Sequence, residues 1–172
     1  MQRFATLALL TLTLTFGLMP AAHSAEQTKA FIYAATDKSI NLAIVVDVGR
    51  RWIEIQDKRS ARIGSIEEGS IGNYEDCGNK AFYCESGLLE IVVPKNMPMK
   101  QWTYHGLSCE SLAQSGGDLY HIECRSPKYR GRPTFTYSLS RGVVSIDSCP
   151  IGGSQRYELR GERGLFFSGG HP

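Results

Sequence analysis

The sequence predicts an all-β protein: a single antiparallel barrel or sandwich of about ten short strands with at most one short helix. Three observations point there. Apolar or alternating runs recur at intervals of roughly ten residues. Glycine, proline and small polar residues break them apart. The long helical periods that βαβ units require are missing. Such spacing fits a barrel and a sandwich equally, because closure depends on register and tilt that a sequence does not display.

Residues 1–25, MQRFATLALLTLTLTFGLMPAAHSA, precede the first strand and carry one charge, Arg3. An apolar Leu/Thr-rich run from Phe4 to Met19 follows, then Pro20 and small residues. This is the three-part pattern of a secretory signal peptide, with cleavage expected after Ser24 or Ala25. A membrane span wants about 20 mainly apolar residues, more than this run supplies. No other segment is long and apolar enough to span. The expected product is residues 26–172, one domain in length, without a transmembrane segment and located in the periplasm or secreted.

The strands are then read in order. KAFIYAA (29–35) and NLAIVVDVG (41–49) are apolar, β-branched and too short for comfortable helices. RWIEIQ (51–56) alternates, so Ile53 and Ile55 are expected to face a core and Trp52 to pack at an edge or in a partly open groove. ARIGSI (61–66) repeats the period less cleanly, and EEGSIGNYED (67–76) reads as a polar connection. KAFYC (80–84), LLEIVVP (88–94) and KQWTYHG (100–106) read as further strands. CESLAQSGG (109–117) reads as the one short helix, stopped by Gly116 and Gly117. LYHIECR (119–125) alternates Tyr120, Ile122 and Cys124 against His121 and Glu123. TFTYSLS (134–140) places Phe135, Tyr137 and Leu139 on one face, and VVSIDSC (143–149), RYELRG (156–161) and GLFFSGG (164–170) finish the chain.

The five cysteines are Cys77, Cys84, Cys109, Cys124 and Cys149. Exported cysteines pair by default, and an odd number leaves one over. Their spacing lacks both the paired short gaps of a structural zinc site and the CxxC of a redox motif. Cys77 can meet Cys84 across a reversal at Gly78, Asn79 and Lys80. Cys109 can close on Cys124. In the chain-entropy view such loops are worth about 2.5 and about 3 kcal/mol. Cys149 is the expected free thiol. A buried thiol at a strand end is the leading reading, with an intermolecular disulfide and a different intramolecular pairing as alternatives. Asp147 beside it would oppose thiolate formation.

Chemistry-bearing motifs are scarce. The chain holds no nucleophile elbow, HExxH, phosphate loop or GxGxxG, and His105, His121 and His171 form no ligand spacing. No catalytic residue, cofactor or metal is assigned. Loss of Arg3 with the leader reduces the 19 Lys and Arg by one against 17 Asp and Glu. That balance of about +1 gives no global attraction to nucleic acid. The local exception is RSPKYRGR (125–132), where Arg125, Lys128, Arg130 and Arg132 surround Tyr129. Guanidinium forks suit carboxylates or phosphates, and a phenol packs on rings or aliphatic surface. The five residues are the expected binding surface for an envelope protein or glycan of anionic character. Arg50, Arg51, Lys58, Arg59 and Arg62 make a second, weaker basic patch.

These readings describe a disulfide-supported binding or inhibitor-like protein. Two alternatives stand beside it. Glu67 with Glu68, Glu75 with Asp76, or the strand residues Glu54, Glu90 and Glu123, expected to point away from the apolar face, would give paired carboxylates for an envelope hydrolase. A structural or assembly role would use Cys149 to link chains. Ligand and oligomeric state are not written in the sequence.

Overall fold

The computed structural model describes residues 30–38, 42–57, 71–113 and 117–167. Among the described residues no helix occurs, and the chain forms β1 (Ala30–Ala35), β2 (Leu42–Asp47), β3 (Trp52–Asp57), β4 (Ile71–Asn73), β5 (Phe82–Glu85), β6 (Ile91–Pro94), β7 (Gln101–Tyr104), β8 (Leu107–Ala113), β9 (Leu119–Arg125), β10 (Thr134–Ser138), β11 (Gly142–Ser148) and β12 (Tyr157–Leu159). The segment expected to be a signal peptide, the ARIGSI run, Glu67 with Glu68, and the basic residues Lys58, Arg59 and Arg62 lie outside the described residues.

Two antiparallel meanders make one large sheet. β1 to β4 form the first and β7 to β12 the second, and β12 pairs with β1 to join them. The resulting order is β4-β3-β2-β1-β12-β11-β10-β9-β8-β7. The sheet does not close into a barrel; the architecture is sandwich-like. β5 and β6 form a separate hairpin that touches both edge strands. At one edge, a Cβ on Gly72 would fall 2.1 Å from Leu88 Cδ1, so only glycine leaves room for that side chain. At the other, Trp102 donates its indole N–H to Val92 O at 3.2 Å.

Alternation decides which face turns inward. Tyr33 pairs with Ile44, Ile122 with Phe135, Phe135 with Ile146 and Ile146 with Tyr157, and all are buried. A continuous apolar row therefore crosses the sheet, and the hairpin residues Leu89, Ile91, Val92 and Val93 pack into the same core. Full burial of each such side chain contributes about 1.5–3 kcal/mol. Ile53 is fully buried while Trp52 is 37% exposed, as the alternation of that strand requires.

Several expectations are corrected. Residues 109–113 are not helical: they belong to β8, where the ladder to β9 sets Cys109 directly opposite Cys124. Extended pairing with a disulfide across it outweighs a weak helical pattern, and Leu112 is left 68% exposed. The connection 67–76 contains β4, whose three residues pair with β3. Leu139 falls in the turn after β10 and is exposed, because the strand ends at Ser138. Leu165 and Phe166 form a turn rather than a strand. Tyr33 OH holds this turn down by donating to Val143 O at 3.1 Å and accepting the Leu165 N–H at 2.8 Å.

Glu90 departs most from its expected place. It is 3% exposed, has a positive φ of 53° and keeps a carboxylate oxygen with no hydrogen-bond partner. It lies in the turn entering β6, where strand alternation does not apply. Glu85, also buried, organises that turn by accepting the N–H groups of Gly87 at 2.8 Å, Leu88 at 3.1 Å and Leu89 at 2.6 Å. Burial pushes the Glu85 carboxyl above its usual range, and the backbone N–H groups oppose that shift.

Candidate binding loop

Consecutive strands run antiparallel, so the β7–β8 turn, the β9–β10 loop and the β11–β12 loop emerge at the same end of the sheet. All five predicted binding residues come together there. Arg125, Lys128, Tyr129, Arg130 and Arg132 border an open concavity of about 560 Å³.

The loop is held from within and from below. Ser126 Oγ accepts the N–H groups of Lys128 at 3.0 Å and Tyr129 at 3.2 Å, a local turn that competes with any extended alternative. The Tyr129 ring lies over Gly131, where a Cβ would come within 2.5 Å of the ring. Glycine at that position lets the phenol fold onto the backbone. At the base, Cys124 N–H donates to Pro133 O at 2.8 Å. One ladder step below Arg125 lies the Cys109–Cys124 disulfide, with Cα atoms 4.1 Å apart.

The neighbouring turn buttresses it. His105 and Gly106 both take positive φ, 49° and 83°, in a two-residue hairpin turn. A Cβ on Gly106 would sit 3.4 Å from Pro127 Cγ, which places the two loops in contact. Tyr104 packs on His105 at 4.3 Å and on Phe82 at 5.0 Å between ring centroids. Its hydroxyl accepts from Asn79 Nδ2 at 3.2 Å. Asn79 belongs to the loop closed by the Cys77–Cys84 disulfide, whose Cα atoms lie 5.5 Å apart. Gly78 reverses that loop at φ 58°. The stretch DCGNKAFYC is therefore a staple that reaches the aromatic underside of the candidate site.

Charge is unevenly satisfied. Arg132 forms an ion pair with Glu123 on β9. The side chains of Arg125, Lys128 and Arg130 are exposed and form no ion pair or hydrogen bond with the described residues. Three cations and one ring thus remain available to a partner. In the second basic patch, Arg50 pairs with Asp47 at 3.6 Å.

Cys149 is a free, buried thiol. Its Sγ accepts the Gly152 N–H at 3.2 Å, and burial pushes its pKa up to about 12. The acidic group that adds to this shift is Glu85 rather than Asp147. An interchain disulfide through Cys149 would require this end of β11 to open. The two disulfides belong to an oxidising compartment.

Two features escaped the sequence. Glu110 and Glu123 stand directly opposite each other on β8 and β9, in a groove of about 430 Å³ shared with Gln101, Ser108 and Arg125. On the outer face of β9 to β12, His121, Thr136, Ser145 and Glu158 align across four strands. Alternation marks each residue as outward, but only pairing register makes them neighbours. Among the described residues no three His, Cys, Asp or Glu side chains converge as metal ligands. Comparison of the chain with protein-family models, curated proteins and solved structures finds no match.

Proposed function

We propose that the protein is an exported binding protein that recognises an anionic protein or glycan of the cell envelope through the β9–β10 loop. The carrying observation is the presentation of three uncompensated cations around Tyr129 on a loop anchored by a disulfide at its base. Preorganisation of this kind reduces the ordering cost of association. Arginine forks supply paired donors to a carboxylate or phosphate-like group, and the phenol supplies apolar contact. The test is affinity capture from the native envelope with residues 26–172 as bait. A partner retained by the wild type and lost with Arg130→Ala plus Tyr129→Ala, at unchanged fold, supports the reading. Equal capture by that variant rejects it.

A second reading, an envelope hydrolase, draws on Glu110 and Glu123. Opposed carboxylates are the arrangement glycoside hydrolases use. Arg132 already occupies Glu123, and the pair lies on an open sheet face. Release of reducing ends from envelope glycans, abolished by Glu110→Gln, would favour this reading over binding.

A further inference from the structure

We propose that the hollow on the outer face of β9 to β12 is a second binding site, one that takes a neutral hydroxyl-rich ligand, a single sugar ring. The hollow has a volume of about 420 Å³. Its floor is Thr136, which lies between His121 on β9 and Ser145 on β11; Ser145 in turn faces Glu158 on β12.

The state of Thr136 is what distinguishes this hollow from an ordinary sheet surface. The residue is only 5% exposed, yet its hydroxyl has no hydrogen-bond partner among the described residues. It is not sealed in apolar surroundings either, since it lines the hollow and is not an enclosed orphan. Its hydroxyl opens on the hollow, so a water or a ligand hydroxyl held there is the partner available to it. Ser145, 2% exposed, donates to Asp147 Oδ2 at 3.3 Å and keeps its acceptor lone pairs.

The walls carry charge that is already balanced. Arg156 bridges two carboxylates, reaching Asp147 Oδ1 at 2.9 Å and Glu158 Oε1 at 3.3 Å. His121 Nδ1 stands 4.0 Å from Asp147 Oδ2. Arg141 spends its guanidinium on Glu162 O at 2.8 Å and Gly161 O at 3.0 Å. With Arg141 and Arg156 set against Asp147 and Glu158, the hollow carries no net charge to select an ion. What remains is a mixture of donors and acceptors beside the apolar flank of Leu119 and Leu159. A sugar ring matches both parts: its hydroxyls donate and accept, and its C–H face is apolar. This inference does not rest on the β9–β10 loop.

The test is a two-dimensional amide and methyl NMR titration of residues 26–172 with methyl glucoside, methyl galactoside and N-acetylglucosamine, with sodium phosphate as the ionic probe. Saturable shifts at Thr136, His121 and Ser145 are expected with at least one neutral sugar, at a dissociation constant of about 1 mM. Thr136→Val keeps the shape and removes the hydroxyl, so it weakens that binding by about tenfold while the fold is retained. Glu158→Gln, at an exposed position, gives a second reading with the same direction. Tyr129→Ala leaves sugar binding unchanged, which separates this site from the loop. Absence of saturable shifts with all three sugars, equal affinity in both variants, or saturation by phosphate alone would overturn the proposal.

Discussion

Replacement of Tyr33 by phenylalanine removes one oxygen atom from the centre of the fold. The ring stays, so no cavity of consequence opens, and the change isolates hydrogen bonding. Tyr33 is fully buried; its hydroxyl donates to Val143 O and accepts from Leu165 N–H, tying β1 to β11 and to the C-terminal turn. Loss of both bonds strands a buried carbonyl and a buried amide. Each stranded group costs about 1–3 kcal/mol, and Val143 O retains some capacity to relax, so the sum is about 2–4 kcal/mol. Burial raises the phenol above its usual range, so it is neutral at both about pH 5 and about pH 8, and the loss should be equal at the two values. The assay is urea unfolding followed by fluorescence, with buried Trp102 as the reporter of the core. With a denaturant slope of about 2 kcal/mol per molar, the midpoint should fall by about 1–2 M. A shift below roughly 0.3 M at unchanged slope would refute the view that this hydroxyl pins the C-terminal segment.

Two further outcomes follow from buried ionisable groups. Cys149 should resist an aromatic disulfide reagent in the native protein and react as the one titratable thiol after denaturation without reductant. Because its folded pKa is raised to about 12, its contribution to stability is complete below the unfolded value of about 8.5 and declines as pH rises above it. Glu85→Gln leaves one carbonyl oxygen to serve three backbone N–H groups, and a loss of about 1–3 kcal/mol is expected in chemical denaturation. Glu85 has a raised folded pKa through burial, so its stabilisation is complete below about pH 4.3 and is lost as pH rises through the folded value. The pH slope of stability in that window should flatten in the variant, and an identical slope would contradict the assignment.

Alternation alone located most of the framework. Tyr120, Ile122 and Cys124 point inward from β9 as their two-residue period requires; β2, β7 and β10 fall within the runs that suggested them, and β3 and β11 each pass theirs by one residue. The basic loop was legible because four cations and a tyrosine stand close together in sequence between two strands. What stayed hidden depends on pairing. The register that sets Glu110 against Glu123, or Thr136 between His121 and Ser145, joins residues whose separation in the chain carries no local signal. β8 was misread because Leu112 and Ala113 mimic helical spacing after Cys109, and nothing nearby announces the strand at Leu119–Arg125 as its partner. Glu90 was misplaced because a turn with positive φ interrupts the alternation on which its outward assignment relied.

The proposed binding surface can be tested most directly with a photoreactive benzoyl-phenylalanine in place of Tyr129. Irradiation in the intact envelope should then produce one discrete adduct from position 129 and none from a control at Leu112 on β8, which is also exposed. The proposed recognition runs through the uncompensated charges of Arg125, Lys128 and Arg130, so the adduct should diminish as salt is raised past about 0.5 M. No adduct at position 129, or one of equal yield at position 112, would contradict the account.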